Sequence, residues 1–161
     1  MVEKQRGGVV MSKQTKRYIV ADKISEDSQK FRVGFSLFNK LCRNAGNPIK
    51  AVLLAPTKHN LDDDTSLADF LCGYNSRAIV EDLREGRDVI LPCGIPFSLE
   101  STHGFNDSGD PLIVLAVNAS ASMLAKIDES RNVQAVVVVP VKASDVAEWK
   151  QQWNPKAVSD F

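Results

Sequence analysis

The chain has 161 residues, 43% of them hydrophobic and 25% charged, an ordinary composition for one globular domain. Lys and Arg number 20 and Asp and Glu number 20, so the net charge is zero and a broad basic face for nucleic acid is not expected. A chain of this length buries about 70% of its unfolded surface, which is enough to hold a core without metal or disulfide staples.

The three cysteines, Cys42, Cys72 and Cys93, are odd in number and match no zinc spacing. They read as reduced, mostly buried thiols of a cytoplasmic protein. No stretch approaches the ~18 apolar residues of a membrane span. Residues 1–15 read as a disordered tail, because Val9-Val10-Met11 is too short for the apolar core of a signal peptide. Met11 is an alternative start. The pattern predicts a single α/β domain over residues 16–155 and a short C-terminal tail over 156–161.

The first predicted strand is Arg17 to Ala21. A helix follows, capped by Ser25 or Asp27, with Phe31, Phe35, Phe38 and Cys42 at three- and four-residue steps. Gly46 and Asn47-Pro48 form its stop. The second strand, Ile49 to Ala55, ends at Pro56. The acidic run Asp62-Asp63-Asp64 reads as a helix cap rather than a metal site, since three consecutive side chains do not converge on one ion and no calcium-loop spacing is present. Leu67, Phe70, Leu71 and Tyr74 predict one short helix and Ser76 to Glu85 another, or one kinked helix, with Gly86 as the end.

The third predicted strand is Arg87 to Leu91. Ile95, Phe97 and Leu99 alternate with polar residues and fit an extra edge strand, because Pro96 lacks the N–H that a central strand needs. Residues 101–111 read as a loop. The fourth strand is Leu112 to Val117, followed by a helix capped at Asn118 or Ser120. The fifth is Val133 to Val139, followed by a helix capped at Ser144 in which Val146, Trp149 and Trp153 face the sheet as core.

Short, β-branched, non-alternating runs are the pattern of strands buried on both faces, and strand–helix alternation implies parallel crossovers. The expected fold is α/β: a three-layer, Rossmann-like or flavodoxin-like arrangement of five mainly parallel strands with helices on both faces, and an extra edge strand near Phe97.

A parallel sheet gathers the strand exits on one rim, where open α/β sheets keep their sites. The residues expected there for ligand binding are Thr57, Lys58, Asn60, Gly94, Asn118, Ser120, Lys142 and Ser144. Helix N-termini beside hydroxyls and lysines suit phosphate or carboxylate. The same residues are also the caps and turns that any such fold requires. An imidazole in general suits proton transfer near neutral pH, which makes His59 the candidate general base. Cys93 is a candidate nucleophile that requires His59 or His103 as base and Asp22 to orient it. No G-x-G-x-x-G, P-loop, G-x-S-x-G or H-E-x-x-H motif is present, and no cofactor is implied. The expected function is therefore binding of a small anionic, phosphate- or nucleotide-like ligand, or of a protein partner. The alternatives are an enzyme on a phosphorylated substrate using His59, Asp22 and Lys58, or a homo-oligomeric scaffold that pairs through the segment around Phe97.

Overall fold

The computed structural model describes residues 15–45, 49–57, 66–74, 77–105, 109–140 and 142–159. The predicted tail before Thr15, the helix stop at Gly46-Asn47-Pro48 and the acidic cap at Asp62-Asp63-Asp64 lie outside them. In chain order the elements are β1 (Lys16–Val20), α1 (Asp27–Asn44), β2 (Lys50–Ala55), α2 (Ser66–Tyr74), α3 (Arg77–Arg84), β3 (Val89–Ile90), β4 (Pro96–Ser101), β5 (Leu112–Val117), α4 (Ala121–Glu129), β6 (Val133–Val139), a 3-10 turn (Ala143–Val146), α5 (Ala147–Trp153) and β7 (Lys156–Val158).

The apolar runs make one mostly parallel sheet in the order β3-β4-β2-β5-β6-β1-β7. Only β3 is antiparallel, to β4. Alternate side chains of the strands feed two separate cores. One holds Leu53, Phe97, Leu99, Leu115 and Val137 with residues of α1, α2 and α3. The other holds Leu54, Val114, Val136 and Val138 with Met123, Leu124 and Ile127 of α4 and Trp149 of α5. The connections after β1 and β2 run across the first face toward the β3 side. Those after β5 and β6 run across the second face toward the β7 side. A single hand of crossover produces this division.

The sheet has seven strands, not five. The segment around Phe97 is an interior strand rather than an edge. It pairs with β2 from Phe97 through Ser101, and with β3 at Phe97 and Pro96. Pro96 is tolerated because it is the first residue of β4, a position that proline can occupy. Phe97 alone is paired on both sides, with Ala51 of β2 and Val89 of β3. The strand predicted over Arg87 to Leu91 shrinks to two residues and turns back as β3. The predicted tail contains β7, which pairs parallel with β1. Trp149 is core as expected, at 5% exposed, whereas Trp153 is 39% exposed.

The stripe predicted on α1 is the largest side-chain contribution to the first core. Phe35 and Phe38 meet Phe97 with ring centroids 5.9 and 5.6 Å apart, and Phe31 and Phe35 meet Phe70 at 5.9 and 6.0 Å. Contacts of this kind are worth about 0.5–1.5 kcal/mol each beyond burial. The helix N-terminus differs from expectation: Glu26 is the N-cap and no side chain bonds there.

Between the aromatic positions lies Gly34, buried on the sheet. A Cβ at this position would stand 2.7 Å from Val139 Cγ2 and 3.5 Å from Leu115 Cδ1 and Val20 Cγ2. The β-branched Val139 is itself buried and has little freedom to yield. Gly34→Ala is therefore expected to destabilise the fold by about 1–2 kcal/mol in urea unfolding, the overpacking exceeding the ~1 kcal/mol gain in helix propensity. In the double variant with Val139→Ala the two losses should be clearly less than additive. A stabilised Gly34→Ala would show that α1 does not approach the sheet this closely.

Candidate functional site

Six strands run the same way, and their registers bring their ends nearly level. Ala55 pairs with Ser101, Leu54 with Ala116, Val117 with Val139, Ile19 with Val138 and Val20 with Val158. The polar sequels of β1, β2, β4, β5 and β6 thus share one carboxyl edge. Backbone bonds tie the exits together: Ala21 N–H donates to Val158 O at 2.8 Å, Thr102 N–H to Ala55 O at 3.0 Å and Ala119 N–H to Val139 O at 3.4 Å.

Of the candidate residues, Asp22, Thr57, Asn118, Ser120, Lys142 and Ser144 lie along this edge. Lys58, His59 and Asn60 lie outside the described residues. Asn118 adopts φ 51°, a left-handed turn that asparagine tolerates, and so aims the chain from β5 into α4. Ser120 is committed to capping, its Oγ accepting the Met123 N–H at 3.3 Å. Asp22 is exposed and bonded to Lys150 of α5 at 3.3 Å. Lys142 and Ser144 are exposed. Two further lysines hold the edge together: Lys30 of α1 donates to Pro140 O at 3.4 Å, and Lys126 of α4 donates to Thr102 O at 2.9 Å.

Cys93 and Gly94 are not on this edge. Because β3 runs antiparallel, they occupy the tight turn that enters β4, where Gly94 has φ 90° and its N–H donates to Leu91 O at 2.7 Å. Asp22 and His103 sit at the opposite end of the sheet, and the length of β4 alone is about 17 Å. A Cys93–His103–Asp22 relay is therefore not assembled. Cys93 has Cys42 as its neighbour instead, at the C-terminal end of α1. Burial, and secondarily the nearby Cys93 thiol, pushes Cys42 from an ordinary 9.0 up to about 12.

The amino edge also holds an arrangement the sequence reading did not single out. A cleft of about 1250 Å³ lies between the starts of β1 and β7 and the ends of α4 and α5. In it Arg17 bonds Asp128 at 3.2 Å and lies 3.6 Å from the centre of the Trp153 ring. The indole N–H of Trp153 donates to Asp128 Oδ2 at 3.0 Å, and that of Trp149 to Oδ1 at 3.4 Å. These residues come from both ends of the chain. The only prior signal was the pair Lys16-Arg17 opening a strand. Among the described residues there is no group of three His, Cys, Asp or Glu side chains placed to hold a metal ion. Nor, among the described residues, is any helix long and apolar enough to cross a membrane.

No family model, curated protein or solved structure matches the chain.

The Cys42 environment has a measurable consequence. The folded state resists ionising a thiol that ionises readily in the unfolded chain, so its stabilisation is complete below pH 9 and is lost as the pH rises toward about 12. Unfolding free energies are expected to fall across this window by on the order of 1 kcal/mol per pH unit relative to Cys42→Ala. Maleimide should label Cys93 at once and Cys42 only on unfolding. Parallel pH profiles for the two proteins, or prompt labelling of Cys42, would contradict this placement.

Proposed function

We propose that the chain is a binding domain for a small anionic ligand, phosphate- or nucleotide-like, held at the carboxyl edge of a three-layer, Rossmann-like or flavodoxin-like frame. The observation that carries this reading is the divergence of neighbouring strands. The chain leaves β2 toward the face covered by α1, α2 and α3, and leaves β5 toward the face covered by α4 and α5. Between two such exits a crevice opens without disturbing the core, and ligands of open α/β sheets occupy it. Thr57, Asn118, Ser120, Lys142 and Ser144 border the crevice, and Lys58 and Asn60, outside the described residues, stay candidates from the sequence alone. Hydroxyls, amides and a lysine supply hydrogen bonds and charge for an anion. A reaction is not part of the proposal, because Cys93 is remote and Asp22 is engaged by Lys150.

Thermal unfolding in the presence of inorganic phosphate, nucleotides and sugar phosphates tests the reading. A ligand at ~100 times its Kd adds about 2.7 kcal/mol, which appears as a rise of several degrees. The double variant Lys142→Ala/Ser144→Ala, or Lys58→Ala/His59→Ala, should remove the rise and leave the unliganded midpoint unchanged. A response that survives in both variants would move the site elsewhere, and no response to any anion would end the proposal.

A further inference from the structure

We infer that the cleft at the amino edge, built on Arg17 and Trp153, is a second ligand site, and that it takes a planar aromatic ring carrying an anionic group, the chemistry of a mononucleotide. It is at the far end of the strands from the crevice proposed above and does not depend on it.

The strand pleat divides the charged residues of this edge between two faces. Ile19 faces the core under α4 and α5, so Arg17 faces that side too, while Lys16 and Tyr18 face the other. Lys156 is the register partner of Tyr18 and joins Lys16. The cleft opens over the ends of the strands, so residues of both faces border it: Lys16, Arg17, Arg131 and Lys156, with one carboxylate, Asp128. Both oxygens of Asp128 are engaged, one by Arg17 and Trp149 and the other by Trp153. In a chain of net charge zero this is a local cationic excess. The ends of α4 and α5 favour cations nearby, which accounts for Arg131. That effect does not call for Lys16 and Lys156, which stand on strands and form no ion pair among the described residues.

The aromatic part rests on Trp153. Its ring is fixed on one side by the guanidinium and along its edge by Asp128, yet it stays 39% exposed. A large ring held rigid and part-exposed beside the cleft costs little entropy to use as a stacking platform. Arg17 Nε is buried and has no hydrogen-bond partner, a donor left over in a residue 13% exposed.

The chain has two tryptophans, which makes the test direct. Intrinsic fluorescence is followed while AMP is added, with adenosine and inorganic phosphate as separate arms. AMP should quench saturably in the micromolar to low millimolar range, and adenosine should bind at least about tenfold more weakly. Trp153→Phe, which leaves only buried Trp149, should abolish the quench. The double variant Lys16→Ala/Lys156→Ala, confined to exposed lysines, should weaken AMP about tenfold and flatten the salt dependence. Lys142→Ala/Ser144→Ala at the other edge should change nothing. The inference is overturned if there is no saturable quench, if adenosine and AMP bind equally, if quenching persists in Trp153→Phe, or if the quench depends on Lys142 and Ser144 instead of the two strand lysines. The thermal-shift outcome for the carboxyl edge is read separately from all of these.

Discussion

The structure depends on one close approach, that of α1 to the sheet. The strands β1 and β2 are consecutive in the chain but are separated in the sheet by β5 and β6. The chain must therefore cross about 14 Å of sheet between them. An 18-residue helix, about 27 Å long, makes the crossing and packs on β6 and β5 as it goes. At Gly34 the helix lies close on the sheet, with Val139, Leu115 and Val20 beneath it. From that contact α1 extends its phenylalanines sideways, and Phe35 and Phe38 reach Phe97 on β4. The helix occupies the centre of one face, so α4 and α5 are left to cover the other.

The two edges of the sheet use charge in different ways. At the carboxyl edge, lysines from three helices are engaged with strand exits: Lys30 with Pro140 O, Lys126 with Thr102 O and Lys150 with Asp22. They fasten helices to the ends of the strands below them. At the amino edge, Arg17 is stacked and paired within a cluster of indoles and a carboxylate, and the lysines beside it stand on strands. A cation used as a fastener and a cation displayed around a cleft look alike in a composition count. Only the surrounding acceptors distinguish them.

Much of this could be read from the residues. The runs ending at Pro56, Asn118 and Pro140 are strands because β-branched side chains on both faces leave no polar side, and α1 follows from phenylalanines at three- and four-residue steps. What escaped has physical reasons. Pro96 argued against an interior strand, but the rule concerns the middle of a ladder and Pro96 is at its start. Lys156-Ala157-Val158 is too short, and too exposed, to show a period. Cys93 was placed on the wrong edge because a two-residue strand that reverses direction leaves no trace in hydrophobicity. Gly34 reads as any small helical residue until Val139 is set beneath it. The cleft was illegible because Arg17, Asp128 and Trp153 meet only when the strand order is known.

The place of β1 has a further consequence for how the molecule comes into being. Its two neighbours, β6 and β7, follow it by more than a hundred residues, and the bond from Thr15 to Val133 O joins residues 118 apart in sequence. A chain emerging from the ribosome thus makes β1 long before either of that strand's partners exists. Until residue 139 is available, Tyr18 and Ile19 have bare backbone on both sides, and one side stays bare until residue 158; pairing that is so distant along the chain is slow to form. Nascent chains of this protein therefore pass through an interval in which a sticky amino-terminal ribbon waits for its carboxy-terminal mates, and occupancy by holding chaperones is to be looked for in that interval.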